Sequence, residues 1–432
     1  MYFRLQSAYA IQPDPASPVI AVGRATRSFA HFGELGAGQL LPLTSKFAVN
    51  RAKARLLKDT TALNWLVATK ADAHAGAWPG LFKPTIGSDP EIFLHEAGTL
   101  IPAFDVLPSK RETRDVFWDG FQAEMTTSSL KCLQQNVEDL QGKLQQLLET
   151  VRAKRPKAEL LAQDAVKINP KGVSPEHLAL GCDPSLNLYG VAGDLPPNPA
   201  KLPWRFAGGH IHFGSAWLAN HPAKAEAAGK IVRDLDKVLA VWSVGAFGAF
   251  EREKIRRRYY GLAGEFRLPP HGLEYRTLGP GWMAHPGITQ LTWEIARAIF
   301  QLSRCGLLDF WYGDDEMTQA VVNNYDVETA RKMLRKNEKL FVWMVSAANE
   351  TFQLAPCGAE RVARRALQVG LEGVECAVPE PLDIEGNWQL VENKRLAKEY
   401  STRGLPGGQI SNDYKATRAI WRTWTELSQR MS

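Results

Sequence analysis

Four short segments place polar or charged side chains at i and i+2: Asp89-Pro90-Glu91, Gln122-Ala123-Glu124, His210-Ile211-His212 and Glu274-Tyr275-Arg276. Apolar alternation and turn residues around them read as strands, so each pair is expected to project from one sheet face. A face carrying Asp, Glu, Glu, His, His, Glu and Arg cannot be an apolar core face, because uncompensated buried carboxylates cost several kcal/mol each. The chain must therefore fold around a polar sheet surface with something cationic among the carboxylates. Oxygen-rich ligation with one or two imidazoles suits Mg²⁺ or Mn²⁺ better than zinc, and Mg²⁺ sites of this kind accompany nucleotide phosphates. Singly, Asp89/Glu91 or Gln122/Glu124 reads as solvated sheet, the histidines as structural, and Glu274/Arg276 as a cross-strand ion pair. Together the four favour a site.

The surrounding sequence supports an α+β fold. Between about 85 and 280, strand-like segments are interrupted by helical patterns at 128–155 and 222–247. In the first of these, Leu130, Leu133, Val137, Leu140, Leu144, Leu147 and Val151 recur at three- and four-residue steps behind a Thr126-Thr127-Ser128-Ser129 cluster that offers N-cap hydroxyls. From about 285 onward the pattern is helical (285–305, 327–350, 358–370, 390–403 and 413–430), with a Pro-rich linker at Val378-Pro379-Glu380-Pro381. The first 84 residues combine a β-like start at Tyr2 to Ile11 with a helix expected over Ala48 to Lys70.

A basic segment separates the last two polar pairs. Between Glu251 and Arg267, six cations (Arg252, Lys254, Arg256, Arg257, Arg258, Arg267) face three carboxylates (Glu251, Glu253, Glu265), which amounts to half the chain's net charge of +6. It runs into the loop Tyr260-Gly261-Leu262-Ala263-Gly264, and a basic Gly-bearing loop beside a metal-binding face suits triphosphate and transition-state charge. A Gly-rich Lys-Ser/Thr phosphate loop and a Gly-x-Ser-x-Gly elbow are both missing from the sequence. With 45% hydrophobic and 23% charged residues among 432, disordered and fibrous classes are excluded. The net charge is too mild for a protein that coats nucleic acid. Five scattered cysteines without a CxxC pair indicate neither a disulfide framework nor a zinc ribbon. No basic n-region and apolar h-region open the chain, and Val238 to Phe250 is too short and Gly-interrupted to span a bilayer, so a cytoplasmic protein without a membrane anchor is expected.

The segments Gly87-Ser88-Asp89-Pro90-Glu91-Ile92-Phe93, Asp119-Gly120-Phe121-Gln122-Ala123-Glu124, Gly181-Cys182-Asp183-Pro184, Gly208-Gly209-His210-Ile211-His212-Phe213-Gly214 and Gly272-Leu273-Glu274-Tyr275-Arg276-Thr277-Leu278 occur in an order that resembles the phage-type carboxylate–amine (COOH·NH₂) ligases, type 2. That family resembles glutamine synthetase and glutamate–cysteine ligase. The resemblance implies an α+β catalytic domain over 85–345, a glutamine-synthetase-like antiparallel sheet funnel flanked by helices. It leaves residues 1–84 as an N-terminal extension or small lobe and 346–432 as a helical C-terminal extension.

By the same resemblance, Asp89, Glu91, Glu124, His210 and Glu274 would bind two or three Mg²⁺ (or Mn²⁺), with Gln122 and His212 as further members. Arg257, Arg267 and Arg276 would hold the γ-phosphate and acyl phosphate, Gly261 and Gly264 would line the ATP phosphates, and His212 or a nearby carboxylate would take the amine's proton. The implied reaction joins a small-molecule or peptide carboxylate to an amine in the cytoplasm, the host's if the gene is phage-borne. Membrane and nucleic-acid partners are not expected, and a homo-oligomer is compatible with the family. Three positions depart from its pattern: Leu262 stands where a lysine is usual, Glu265 where a small residue is usual, and Ser185 where an acid is usual. A metal-dependent hydrolase using His210 and His212, or a non-enzymatic phage protein binding nucleic acid through the basic segment, are the alternative readings.

Overall fold

The computed structural model describes residues 19–23, 41–43, 65–69, 84–130, 132–178, 185–196, 198, 201–303, 311–351 and 356–390. Near the N-terminus, β1 (Val19–Gly23) pairs antiparallel with β2 (Leu41–Leu43) and β3 (Trp65–Thr69). The end of the helix expected over Ala48 to Lys70 is thus a strand, as the aromatic and β-branched content of Trp-Leu-Val-Ala-Thr favours. The remainder of that expected helix, and the strand expected at Tyr2 to Ile11, lie outside the described residues.

From residue 85 the chain lays down β4 (Thr85–Ser88), β5 (Glu91–Glu96), β6 (Thr99–Ile101), β7 (Val116–Asp119), β8 (Gln122–Met125), β9 (Glu159–Leu161), β10 (Ala165–Lys167), β11 (Leu186–Asn187), β12 (Trp204–Phe206), β13 (Ile211–Gly214), β14 (Glu265–Arg267) and β15 (Gly272–Tyr275). These form two larger antiparallel sheets, one in the order β11-β14-β15-β13-β4 and one in the order β6-β5-β8-β7 with β9 also on β5, while β10 and β12 pair separately. The class is α+β, as the sequence predicts. Only two residues, Asp89 and Pro90, separate β4 in the first sheet from β5 in the second. Proline has no N–H for a ladder, so the chain changes sheets at Pro90. The pair Asp89/Glu91 therefore does not share a face of one strand; it straddles the switch.

Helix α1 (Leu133–Lys154) buries Leu133, Val137, Leu140, Leu144, Leu147, Leu148 and Val151, the stripe its periodicity predicts. Its start differs from the expected one. The hydroxyls of 126–129 do not cap it; instead the segment pairs with the free edge of β4, through Thr127 N to Ser88 O (2.9 Å), Ser88 N to Thr127 Oγ1 (2.8 Å) and the reciprocal Ile86–Leu130 backbone bonds. An unpaired strand edge is a stronger demand on nearby donors and acceptors than a helix end that water can reach.

Helix α2 (Lys224–Leu235) continues through a π-helical turn at Asp236–Ala240 into Val241–Ala246, close to the expected 222–247. Then come α3 (Glu251–Tyr259), α4 (Pro286–Leu302), α5 (Val327–Lys336), α6 (Glu338–Thr351) and α7 (Pro356–Glu372). The single helix expected over 327–350 is broken at Asn337, whose side chain bonds both backbone groups of Tyr312 at 2.7 and 3.0 Å. The helices expected at 390–403 and 413–430 lie outside the described residues.

No break in packing marks residue 345. One hydrophobic core runs from Ile86 to Leu390. The C-terminal segment is pinned across it: fully buried Trp388 donates to Met283 O (2.7 Å), Gln141 donates to Trp388 O (2.9 Å), and Glu385 pairs with Arg152 (2.6 Å). Losing a buried Trp of this kind costs about 3–5 kcal/mol, so residues up to 390 belong to the main folding unit. Among the described residues no helix is long and apolar enough to cross a membrane.

Candidate functional site

The sheet switch at Pro90 organises the site by sending Asp89 and Glu91 into two neighbouring groups of charged side chains. In the second sheet the register sets Glu91 opposite Glu124, Phe117 opposite Glu124, and Asp119 opposite Gln122. Alternation then puts Glu91, Glu124 and Asp119 on one face, and their carboxylate oxygens lie within 4.8 Å of one another. Glu91 and Glu124 are only 2% and 6% exposed. Glu91 is locked in place by Gly208, whose N–H donates to Glu91 Oε2 (2.6 Å) while its C=O accepts from Glu91 N (2.9 Å). Among the described residues the cation in contact with this group is Lys110, with Nζ 3.3 Å from Glu124 Oε1, while Arg276 acts on Asp119 from further off.

Three carboxylates against one ammonium leave the group short of positive charge, and the carboxyls respond by favouring protons. Burial, then Asp119 and Glu124, push Glu91 well above the usual carboxylate range. Burial and then Asp89 push Glu124 up to about 8, and burial raises Asp119. Asp119 is absent from the predicted ligands. Its signal lay in the Asp119-Gly120 turn that folds β7 back onto β8, which fixes Asp119 on the face of Glu124. Gln122, expected as a further member, is instead tied to backbone: its Nε2 donates to Phe206 O (2.6 Å).

The other group gathers on the first sheet. His212, Glu274 and Arg267 form one row across β13, β15 and β14. Asp89 at the end of β4 reaches across to His212 Nε2 (3.0 Å) and His210 Nδ1 (3.3 Å). Asp89, His212 and Glu274 offer ligand atoms within 4.8 Å of one another. Here the cations are built in: Glu274 Oε1 takes Arg276 Nη1 at 2.5 Å and Arg267 Nη1 at 3.5 Å. Burial alone would raise Asp89, but His212 and then His210 outweigh it and hold its carboxyl well below the ordinary value. Burial would likewise lower His212, but Asp89 outweighs it and raises the imidazole. Asp89 also acts on Glu91 and Glu124 across the switch, so the two groups border one space.

His210 is placed differently from expectation. Burial, then Arg276, push it down to about 4, so it is neutral and carries one ring proton. The carboxylate oxygen of Asp89 3.3 Å from Nδ1 claims that proton. Nε2 is then the acceptor, and it faces the Tyr260 hydroxyl, which itself accepts from Arg276 Nη2 at 2.8 Å. A guanidinium has only donors, so the chain of bonds runs Arg276 to Tyr260 to His210 to Asp89. Both nitrogens of His210 are engaged; His212 meets Asp89 through Nε2 (3.0 Å) and His271 Nε2 through Nδ1 (3.4 Å), and it is His212, not His210, whose ligand atom lies within 4.8 Å of those of Asp89 and Glu274.

The basic segment divides sharply. Arg267, at the segment's end, lies on Glu274, which Arg276 from the end of β15 also meets. Arg257 does not: it is 1% exposed, with Nε 2.6 Å from Glu253 and Nη1 donating to Gly261 O. Its neighbour Arg256 is also fully buried, pairing with Glu253 at 3.0 Å and donating to the carbonyls of Thr277 (3.1 Å) and Leu278 (2.8 Å). Arg256 thus braces the backbone that follows β15 and Arg257 the start of the Gly-bearing loop, a structural use that takes Arg257 away from the phosphate-binding role expected of it.

The Gly-bearing loop is likewise satisfied internally. Gly261 (φ +72°) and Gly264 (φ +84°) do adopt left-handed conformations that need glycine. The amides they present, however, already have acceptors: Gly261 N and Leu262 N donate to the Glu265 carboxylate at 3.2 and 3.0 Å, and Ala263 N to Asn323 Oδ1 at 2.8 Å. Glu265, standing where a small residue is usual, supplies the anion itself. Gly261 and Gly264 therefore shape a turn and do not cradle a phosphate. Gly181-Cys182-Asp183-Pro184 lies outside the described residues.

Residues 191–339 match the family model of the phage phiEco32-like COOH.NH2 ligase-type 2 proteins. The match takes in β12 to β15 and α2 to α5, hence His210, His212, Glu274, Arg276 and the basic segment. It supports the carboxylate–amine ligase family that the motifs resemble, and with it an enzyme of the ligase class. The strands bearing Glu91, Asp119 and Glu124 precede the matched span. No curated protein matches the chain.

Proposed function

We propose that this chain is an ATP- and Mg²⁺-dependent ligase that joins a carboxylate to an amine through an acyl phosphate. The observation that carries the reading is the group of buried Glu91 and Glu124 with half-buried Asp119, met by the Lys110 ammonium and bordering a second group that includes two arginines. Carboxylates buried and pushed toward protonation fit a hard divalent cation, which would restore their ionised form. Glu91, Asp119 and Glu124 would hold one ion and Asp89, His212 and Glu274 a second, and ions held there would screen phosphate charge during transfer.

A carboxylate resists amines because oxide is a poor leaving group. In the proposed first step the acid's oxygen attacks the γ-phosphorus and ADP departs. In the second the amine nitrogen attacks the acyl carbon, phosphate departs with the bonding electrons, and the amine gives up a proton. The chain's residues provide anion binding and orientation for this sequence: Arg267, with a quarter of its side chain exposed, is placed to meet phosphate, and Arg276 is held by Glu274 and Tyr260. Asp89 orients His212, and with His212 on the ion the amine's proton would pass to a nearby carboxylate. The acid and amine are small molecules or peptide termini in this reading.

Thermal shift with Mg²⁺ and a non-hydrolysable ATP analogue tests the reading without knowledge of the acceptors. At about 100 times Kd the ligand should add about 2.7 kcal/mol, a midpoint rise of a few degrees. Dependence of the shift on Mg²⁺, and its loss in Glu91→Gln, are expected. Failure of the wild type to respond at millimolar nucleotide would remove ATP from the mechanism.

A further inference from the structure

Lys110 belongs to none of the recognised motifs and precedes the matched family span. It projects from the turn between the helical turn Ala103–Val106 and β7, a turn fastened at its base by Ser109 N and Oγ to Glu112 Oε2 (2.7 and 2.8 Å) and by Trp118 N to Pro108 O (3.0 Å). The base is rigid, yet the Lys110 side chain is 64% exposed and ends 3.3 Å from Glu124 Oε1, its ammonium over the Phe117 ring at 4.8 Å. It also interacts with Asp89 and Asp119, so its charge acts on both groups of the site. A flexible, strongly hydrated ammonium on a fixed stem can move several ångströms at little cost, unlike the buried Arg276.

We propose that Lys110 and a divalent cation compete for Glu124, and that the ammonium so displaced becomes a ligand for the anion that accompanies the metal, the phosphate chain of the nucleotide. This rests on the metal reading above. Glu124 cannot direct the same oxygen at an ammonium and at a divalent ion held by Glu91 and Asp119, since like charges at that separation repel. Lys110 already acts on Asp89, which belongs to the group of Glu274 that Arg267 meets, so a polyanion bound between the two groups would draw the freed ammonium. Lysine is thus an internal counter-ion in one condition and an anion-binding residue in the other.

The competition predicts effects of opposite sign on two probes. Calorimetric titration with Mn²⁺ alone should show binding about five- to tenfold tighter in Lys110→Gln than in wild type, because the competing charge is gone. Titration with the non-hydrolysable ATP analogue in saturating Mn²⁺ should show binding at least several-fold weaker in the same variant. Lys110→Arg keeps the charge and should stay near wild type for Mn²⁺ alone. Equal Mn²⁺ affinity in wild type and Lys110→Gln overturns the proposal while leaving the metal site standing. Absence of Mn²⁺ binding in both proteins overturns the metal reading and the proposal together, and circular dichroism of each variant confirms that the comparison is between folded proteins.

Discussion

Two carboxylate groups border one space in this protein, and they solve the same electrostatic problem in different ways. Around Glu274 the fold supplies its own cations: Arg276 and Arg267 reach the carboxylate from its own and the neighbouring strand, and two histidines flank Asp89. Around Glu91 the neighbours are Asp119 and Glu124, and the compensating charge is the exposed Lys110. The first group is electrostatically complete as folded. The second is satisfied by protons or by a bound cation, and Glu124 accordingly rises to about 8 while Asp89 is held well below its ordinary value. The lesson is that a carboxylate's role depends on what the adjoining strands supply, not on its own identity or on the motif that carries it.

The largest effect that would break or sharpen this contrast is on turnover. Glu91→Gln should lower ADP release with a competent acid and amine by about 10³-fold or more, because it removes a ligand from the group that lacks its own cation. In chelator its unfolding midpoint should match or exceed the wild type, since one of three mutually repelling acids is gone. Retained turnover would show that the Glu91 group is not where metal acts. Next in size, Glu274→Gln should destabilise the fold by about 3 kcal/mol in urea titration, because it takes the carboxylate from Arg276, which is 1% exposed. If the same isosteric change costs as much at Glu91 as at Glu274, the two groups do not differ as argued.

Much of this arrangement was legible in the sequence, because composition and period carry it. Polar residues at i and i+2 announced sheet faces that are not apolar core, and the apolar stripe of α1 announced its buried side. The α+β class followed from the alternation of strands with helices. What was not legible was decided by tertiary demand. The residues 126–129 read as a helix cap, but the edge of β4 took them. Arg257 and Arg267 are the same residue type in one basic stretch of chain, and only the fold shows that one braces backbone beside Glu253 while the other meets Glu274. His210 and His212 alternate along one segment, yet the partner of each ring nitrogen separates their roles. Asp119 escaped notice because it is paired by a turn, across register, with residues outside its own i, i+2 pattern.

The third effect in size is a pH dependence of stability with a definite sign. Unfolded, Glu124 titrates near 4.5; folded, it is pushed up to about 8, by burial first and Asp89 second. Between those values the folded state holds the extra proton, so its stability is full below the lower value and falls as pH rises through the window. In chelator the wild type should lose roughly 2 kcal/mol between pH 5 and pH 8, a figure discounted from the full linkage value for relaxation and water access. Glu124→Gln should flatten that slope, and Mg²⁺ should restore the alkaline side, because the ion prefers the ionised carboxylates. A wild-type stability that climbs across the window would contradict the picture of a group short of cations.

The smallest effect probes the Gly-bearing loop, where the fold supplies an anion of its own. Glu265 accepts from the amides of Gly261 and Leu262, so Glu265→Gln should replace two charge-assisted bonds by weaker neutral ones and lower stability by about 1 kcal/mol. Because those amides already have an acceptor, affinity for the metal–nucleotide complex should stay within a factor of about 2 of wild type, allowing for the loss of one remote charge. A tenfold gain in nucleotide affinity would instead mean that Glu265 blocks a phosphate cradle which its removal opens. The loop would then return to the site, and the division between self-compensated and ligand-requiring groups would have to be drawn elsewhere in the fold.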